Sequence, residues 1–248
     1  MPPAHRISIF PDDLSVAREL ASRVVQAIRT KPALVLGLPT GRTPLLLYAE
    51  LVGRAAEGRV DFSEVTTFNL DEFFGIAPSH PGSYRSFMQR YLFDHVNVDP
   101  SRVHLLNGSA TDPADEGCRY EKAIEQSGGI DLQILGIGSN GHIGFNEPGQ
   151  ALEARTHLVM LKPETRRSNA ALFGGTAEDV PSQALSMGMA TILGSRSIVL
   201  VATGERKAAC VEQLVSGSIT TQLPASFLQL HSDVEIMLDE AAASKLTI

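Results

Sequence analysis

Residues 130–149, IDLQILGIGSNGHIGFNEPG, join an apolar run to a loop, and the stretch contains five glycines. Short apolar runs that end in glycine are typical of strands covered on both faces, as in a parallel sheet. The loop also places His142 and Glu147 five residues apart. The stretch therefore predicts a central strand with polar side chains at its carboxyl end.

The same strand pattern recurs along the chain, and stretches with helical spacing of apolar residues separate the runs. Besides 130–138, strands are predicted at 33–38, 65–70 and 197–203, with weaker patterns at 6–10 (RISIF), 156–161 and 234–239. Helices are predicted over 13–29, 43–57, 82–94, 113–126 and 205–215. This alternation predicts a single α/β domain over residues 1–248, a doubly wound, mostly parallel sheet with helices on both faces.

The composition argues against several classes of partner. The chain has 248 residues, 43% of them hydrophobic, and a formal net charge of −7. Such an acidic chain is not expected to bind nucleic acid or an anionic membrane. The N-terminus has no signal-peptide pattern, and no apolar run approaches the ~20 residues that span a bilayer. Cys118 and Cys210 stand far apart, which is typical of free thiols, and a cytoplasmic location is expected.

The glycines of the 136–149 loop match the first half of a dinucleotide fingerprint, Gly136-x-Gly138-x-x-Gly141. That motif requires a helix at its third glycine, whereas HIGFNEPG contains two more glycines and a proline, which oppose a helix. We therefore expect a Rossmann-like fold without a dinucleotide. His142 and Glu147 lack a third ligand at a recognisable spacing, so no metal is expected. Two alternatives remain for this loop, a purely structural role and acid/base chemistry.

Two more loops at predicted strand ends carry groups that suit an anion. In GLPTGRTP (37–44), Thr40, Gly41 and Thr43 precede a helix and offer hydroxyl and backbone N–H groups to a single phosphate. An ordinary turn capped by Thr43 is the alternative. In VATGERKAAC (201–210), Lys207 lies in a first helical turn, where a cation is unfavourable unless an anion binds nearby. A plain surface lysine is the alternative there.

The segment TFNLDEFFG (67–75) places Asp71 and Glu72 among apolar residues at the end of a predicted strand. An exposed turn is one interpretation. The other is a carboxyl group desolvated by the neighbouring phenylalanines, whose raised pKa suits a general base. Because parallel strands end at one edge of a sheet, the four loops are expected to form one site, suited to proton transfers on a phosphorylated sugar.

Five segments resemble the glucosamine-6-phosphate deaminase family in order and spacing. They are LPTGRTP (38–44), FNLDEFFG (68–75), HPGSYRSFM (80–88), GIGSNGHIGFNEPG (136–149) and LPASFLQLH (223–231). The resemblance covers nearly the whole chain, and NLDE and HIGFNEP are its most specific parts. It implies conversion of glucosamine 6-phosphate to fructose 6-phosphate and ammonium, with no cofactor.

The resemblance also implies roles for individual residues. It makes Asp71 the base that moves a proton from C2 toward C1. It makes His142 the residue that opens the sugar ring, with support from Glu147 and Asn140. The residues that it implies for the phosphate are Thr40, Gly41, Thr43 and Lys207.

Two positions depart from the family pattern. Asn140 stands where some members have aspartate. An amide can orient His142 but cannot stabilise its charged form, so Glu147 is expected to matter more. Ala171 stands where many members have an arginine that clamps the phosphate. Arg167, four residues earlier, would share that face of a helix and is the candidate replacement.

Related activities remain as alternatives. A galactosamine-6-phosphate deaminase/isomerase acts on the C4 epimer, which this sequence does not distinguish. A 6-phosphogluconolactonase resembles GHTASLFP rather than GHIGFNEP at the same loop. A non-catalytic sugar-phosphate sensor is opposed by the intact Asp71, His142 and Glu147 and by the lack of a DNA-binding segment.

The resemblance bears on regulation as well. Some members are hexamers activated by an N-acetylated sugar phosphate, which is bound by basic side chains after the NEP segment and by a tyrosine near the C-terminus. Here His157 and Val159 occupy the basic positions, and no tyrosine follows Tyr120. We therefore expect a monomer or small homo-oligomer with hyperbolic kinetics, whose partner is a small amino-sugar phosphate.

Overall fold

A computed structural model describes residues 6–247, in which strands and helices alternate. The strands are β1 (Arg6–Phe10), β2 (Val35–Leu38), β3 (Thr66–Asn69), β4 (Asp71–Phe73), β5 (Val103–His104), β6 (Leu132–Gly136), β7 (His157–Met160), β8 (Gln183–Ser186), β9 (Ser197–Ala202) and β10 (Val234–Asp239). The α-helices are α1 (Asp13–Thr30), α2 (Leu45–Ala56), α3 (Tyr84–Tyr91), α4 (Pro113–Gln126), α5 (Pro163–Asn169), α6 (Met189–Leu193), α7 (Ala208–Ser216) and α8 (Glu240–Ala243).

Seven strands form a fully parallel sheet in the order β1-β10-β9-β6-β2-β3-β5. Six of the predicted strands lie in it, so the predicted fold class is confirmed. The strand order reverses beside β2 and β6, near the middle of the sheet. In open parallel sheets, ligands bind at the carboxyl edge near such a reversal.

Both faces of this sheet are covered by helices, which explains why its central strands are mostly apolar. On one face, Leu36 of β2 and Ile134 of β6 pack with residues of α1, α2 and α3. On the other face, Leu135 and Leu200 pack with residues of α4, α6, α7 and α8. Neighbouring strand residues therefore point into two different cores, as the doubly wound fold requires.

A second, three-stranded antiparallel sheet in the order β4-β8-β7 was not predicted. The strand expected at 156–161 is β7, but it forms an edge of this small sheet rather than part of the parallel one. Strands β4 and β8, of three and four residues, were missed because so short a segment carries no readable periodicity. The small sheet matters for the site, since β4 begins one residue after β3 and pairs Asp71 with Ser186.

The five predicted helices are confirmed, with ends shifted by a few residues. The last of them begins as a 3-10 turn over Glu205–Lys207 and continues as α7. No helix within residues 6–247 is both long and apolar enough to span a bilayer. Cys118 is exposed and Cys210 is buried, and both are free thiols, as expected.

Candidate active site

Four predicted loops leave the carboxyl edge of the sheets within reach of one another. Two hydrogen bonds, each between a backbone group and a side chain, join the 136–149 loop to the end of β8. The Phe145 backbone N–H donates to Ser186 Oγ at 3.0 Å, and the Asn146 side-chain amide donates to the Met187 carbonyl, one residue after β8, at 2.8 Å. Since Ser186 is the register partner of Asp71, these bonds hold the loop beside β4.

Gly144 makes the close approach between this loop and Asp71 possible. Its φ of +57° lies in the left-handed region, which favours glycine. A Cβ at this position would lie 3.0 Å from Ser186 Oγ and 3.8 Å from Asp71 Oδ2. The loop backbone therefore packs directly against the carboxyl group predicted to be the base.

His142 and Glu147 form the polar centre of the loop. Glu147 Oε2 lies 3.5 Å from His142 Nδ1 and accepts a 2.9 Å hydrogen bond from the Asn140 amide. Asn140 Oδ1 in turn accepts from the His142 backbone N–H at 3.2 Å. Asn140 thus contacts both the Glu147 carboxylate and the His142 backbone.

The environment of Glu147 keeps its carboxylate ionised. Burial raises its pKa, but the nearby His142 imidazole and hydrogen bonds from Thr165 and Asn140 outweigh burial, and the pKa falls to about 2. Thr165, on α5, donates its hydroxyl to Glu147 Oε1. An ionised carboxylate thus lies beside an imidazole, and such a pair suits acid/base chemistry on a ligand.

Asp71 is buried rather than exposed, which excludes the interpretation of this segment as a surface turn. It is only 6% exposed. Burial, followed by the neighbouring charge of Glu72, raises its pKa to about 8, against the opposing effect of a hydrogen bond from Thr40. The Thr40 hydroxyl lies 3.5 Å from Asp71 Oδ1, so the 37–44 loop also reaches the carboxyl group.

The 37–44 loop retains its free backbone donors. Helix α2 begins at Leu45 with Pro44 at the N-cap, and no side chain caps it. The alternative of a turn capped by Thr43 is therefore wrong. Gly41 has a φ of +99°, and a Cβ there would meet nothing within 4 Å, so the backbone at this point is open.

Lys207 belongs to the same group of residues and is not a plain surface lysine. It is half-buried, burial lowers its pKa, and its ammonium group donates to the Ile137 carbonyl. Ile137 is the second residue of the 136–149 loop, so the lysine lies at the base of that loop.

Arg167 lies apart from these contacts. Its side chain is 62% exposed and pairs with Glu164 at 2.8 Å. The helical face that it was expected to share with Ala171 is interrupted, because α5 ends at Asn169 and a 3-10 turn follows. Within residues 6–247, the Arg42 guanidinium, in the 37–44 loop itself, makes no hydrogen bond or ion pair.

Sequence reasoning missed two residues at the site, Thr165 and Tyr84. Thr165 donates to Glu147, and burial, followed by the charge of the nearby Asp71, raises the pKa of Tyr84. Glu72, which the sequence placed beside Asp71, is buried next to it. Tyr84 lies in HPGSYRSFM, so the motif pointed to its segment but not to its role. Thr165 carried no signal, since only the tertiary fold brings α5 to the loop.

The family described as glucosamine-6-phosphate isomerases/6-phosphogluconolactonase matches residues 13–237. The chain belongs to this family. The resemblance found in the five sequence segments is thereby confirmed.

Other members of the glucosamine-6-phosphate isomerase/6-phosphogluconolactonase family are similar over nearly their whole length. Glucosamine-6-phosphate deaminase of Rhodopirellula baltica is 52% identical over 97% of this chain and 95% of that protein. The protein of the same name from Hahella chejuensis is 49% identical over 98% and 92%. A solved monomeric glucosamine-6-phosphate deaminase superposes with a TM-score of 0.94 at 41% identity, over 97% of this chain and 100% of that one.

The lactonase branch of the family shares the fold alone. A 6-phosphogluconolactonase from Trypanosoma cruzi superposes with a TM-score of 0.77 at only 21% identity, over 100% of this chain and 99% of that one. At that identity the superposition shows a common architecture and carries no information about the reaction.

Proposed function

We propose that this chain is a glucosamine-6-phosphate deaminase, which converts glucosamine 6-phosphate and water to fructose 6-phosphate and ammonium. The observation that carries the proposal is a buried carboxyl group on β4 packed against a loop that holds a histidine–carboxylate pair. Relatives of that name at 49–52% identity support the same substrate.

The proposed reaction uses the two sides of the site in turn. His142 gives a proton to the ring oxygen as the bond from C1 to that oxygen breaks, the C1 hydroxyl gives its proton to solvent, and the open-chain aldehyde forms. Asp71 then removes the C2 proton, the C–H electrons form a C1=C2 double bond, and the C1=O π electrons move to the C1 oxygen, which takes up a proton. When C1 is protonated in turn, the nitrogen lone pair forms a C2=N bond, and water hydrolyses this protonated imine to the ketone and ammonium.

The electrostatics support this division of roles. A base needs a pKa near the working pH, which burial of Asp71 favours, whereas a carboxylate that assists a protonated imidazole must stay ionised, as Glu147 does. Two carboxyl groups with pKa values shifted in opposite directions therefore suit two successive proton transfers.

A panel of substrates tests the proposal. Purified protein is incubated with glucosamine 6-phosphate, galactosamine 6-phosphate and 6-phosphogluconolactone, and ammonium or acid release is measured. We expect ammonium from the gluco epimer with the highest kcat/KM. Preference for the galacto epimer would change the assigned substrate, and lactone hydrolysis without ammonium release would overturn the proposal.

The phosphate is proposed to bind Thr40, Gly41, Thr43 and Lys207. Lys207→Ala is expected to raise KM by about 10- to 100-fold, because a hydrogen bond to a charged group contributes about 1.5–3 kcal/mol. The change is measured by steady-state kinetics on glucosamine 6-phosphate. An unchanged KM would remove Lys207 from the phosphate site.

Arg167→Ala and Arg42→Ala are a matched pair of variants. They test which arginine, if either, replaces the phosphate-binding arginine that is absent at Ala171. Arg167 is proposed as its replacement, and its exposed ion pair with Glu164 contributes only about 0–1 kcal/mol, so the guanidinium can be released to a ligand. Arg167→Ala is expected to raise KM less than Lys207→Ala does. A raised KM in Arg42→Ala, with Arg167→Ala unchanged, would place the second cation in the 37–44 loop instead.

Kinetics are expected to be hyperbolic, with no activation by N-acetylglucosamine 6-phosphate. Val159 carries no charge and is packed against the core around Phe73, and His157 engages the Arg155 carbonyl at 2.9 Å. An effector shifts an equilibrium only if it binds two conformational states with different affinities. These two side chains offer few contacts to the phosphate of such an effector. Rate curves measured with and without the effector check this. Sigmoidal curves that become hyperbolic on its addition would contradict the expectation.

A further inference from the structure

Glu72 is a buried carboxylate that the roles above do not use. It follows Asp71 on β4 and is only 2% exposed. Its Oε1 accepts the backbone N–H groups of Phe73 and Tyr84, and its Oε2 accepts that of Arg85, each at 2.9 Å. Three charge-assisted hydrogen bonds to one side chain are more than a surface carboxylate makes, and two of them come from another element.

Those two donors are the first residues of α3, where backbone N–H groups have no partner within the helix. The Ser83 hydroxyl caps a third donor, Ser86 N–H, at 3.0 Å. Glu72 therefore anchors the start of α3 to β4, next to the predicted base. Gly108 closes over this anchor, since a Cβ there would lie 3.2 Å from Glu72 Cγ.

Tyr84, the first residue of α3, extends from this anchor to the other side of the site. Its ring stacks on Phe145 of the 136–149 loop, with centroids 5.9 Å apart and planes 12° apart. Its hydroxyl donates to Asn169 Oδ1 at 3.3 Å. Asn169 belongs to α5, the helix whose Thr165 holds Glu147. One buried residue thus contacts the elements of both proton-transfer sites.

We propose that Glu72 is a positioning residue: it holds the start of α3 against β4 and so sets Asp71 and Tyr84 relative to each other. The kinetic test of this inference rests on the proposed deamination. The structural test rests on the contacts alone.

The charges around Asp71 make this role of Glu72 measurable through the pKa of Asp71. Burial is the largest influence on its pKa, and the adjacent Glu72 carboxylate raises it further. From the 136–149 loop, the uncharged Gly144 faces Asp71. Three phenols also lie near enough to Asp71 for its charge to affect them: Tyr48 of α2, Tyr84 of α3 and Tyr120 of α4. Burial raises the pKa of each well above its usual range, so all three are neutral near pH 8.

Two variants separate the charge of Glu72 from its reach. Glu72→Gln keeps the length of the side chain but removes its charge. The NH₂ group of the glutamine would then face the Arg85 backbone N–H, so two hydrogen-bond donors would oppose each other. We expect kcat to fall about 10- to 100-fold through misplacement of the base, with KM changed only a few-fold. The acid limb of kcat/KM should move on the order of one unit to lower pH. Glu72→Asp keeps the charge, but its side chain is one methylene too short to reach the same donors. We therefore expect kcat to fall while the acid limb of the pH profile of kcat/KM keeps its position.

Glu235→Gln is the matched control for neutralising a buried carboxylate. Glu235 is 4% exposed and pairs with Arg23 and Ser8 near the amino end of β10, at the opposite edge of the sheet. This variant should lower stability without moving the acid limb.

Two readouts do not depend on activity. Amide hydrogen exchange should show loss of protection at Tyr84 and Arg85 in both Glu72 variants but not in Glu235→Gln. The titration of the Asp71 carboxyl, followed by carbon NMR and assigned by its absence in Asp71→Asn, should move to lower pH in Glu72→Gln. If protection and titration are both unchanged, the inference is overturned. If both change as expected in a protein that releases no ammonium, the proposed function fails and the inference stands.

Discussion

Asp71→Asn should lower deamination by about 10²–10⁴-fold, the range that a positioned general base contributes. It should also abolish exchange of the C2 proton with solvent, because an amide cannot accept that proton. Binding of a linear 2-amino-alditol 6-phosphate should stay within a few-fold, since the residues proposed to bind the phosphate lie on other loops. The rates, the exchange measured by proton NMR, and the affinity measured by calorimetry together check this expectation.

The pH dependence of the unmodified protein belongs to the same test. Asp71 must be ionised to act as a base, and its pKa is raised to about 8. The ionised fraction, and with it kcat/KM, should therefore fall as the pH decreases below about 8, and this limb should be missing from the residual activity of Asp71→Asn. Asp131→Asn is the control, since Asp131 precedes β6 at the far edge and pairs with Lys31. Normal C2 exchange in Asp71→Asn would identify another residue as the base.

His142→Gln should lose activity on the cyclic sugar by about 10²-fold or more, within the range for acid/base catalysis. Glutamine can hydrogen-bond near Glu147 but cannot pass a proton to the ring oxygen. The linear amino-alditol phosphate has no ring to open, so its affinity should change only a few-fold. Turnover of the pyranose and binding of the linear analogue are the two measurements.

His157→Gln serves as the control for this second prediction. His157 lies on β7, with its ring bonded to the Arg155 carbonyl, and its replacement should leave turnover unchanged. If His142→Gln also loses affinity for the linear analogue, then His142 acts in binding or folding rather than in ring opening.

The parallel sheet was predictable because helices cover both of its faces. Strands such as β6 and β9 are therefore mostly apolar, and glycine or a polar loop marks the carboxyl end. The same regularity predicted where Asp71, His142 and Lys207 meet, since the ends of parallel strands share one edge. The fold and the location of the candidate site could thus be predicted from features that are local to each strand.

The small sheet and its consequences were not predictable in this way. Strand β4 consists of Asp71, Glu72 and Phe73, a polar pattern that is equally consistent with an exposed turn. Strand β4 pairs with β8, more than 100 residues away, and burial in the tertiary structure raises the pKa values of both carboxyl groups. A pairing between strands that are distant in the sequence cannot be recognised from a window of a few residues. The buried environment of Asp71 was therefore visible only in the structure.

The partners of Glu147 show the same limit. Asn140 lies in the same loop and was predicted, together with Glu147, to support His142, whereas Thr165 comes from α5 and was not predicted. The expectation for Arg167 assumed a continuous helix to Ala171, which the 3-10 turn after Asn169 interrupts. Its role at the phosphate remains a prediction.

The stoichiometry of the products tests the central claim most directly. The unmodified protein is incubated with glucosamine 6-phosphate, and ammonium and fructose 6-phosphate are measured in the same sample. The proposed isomerisation and deamination predict one of each for every substrate consumed, and almost none of either with Asp71→Asn. Ammonium without fructose 6-phosphate, or equal rates in the variant and the unmodified protein, would contradict the account.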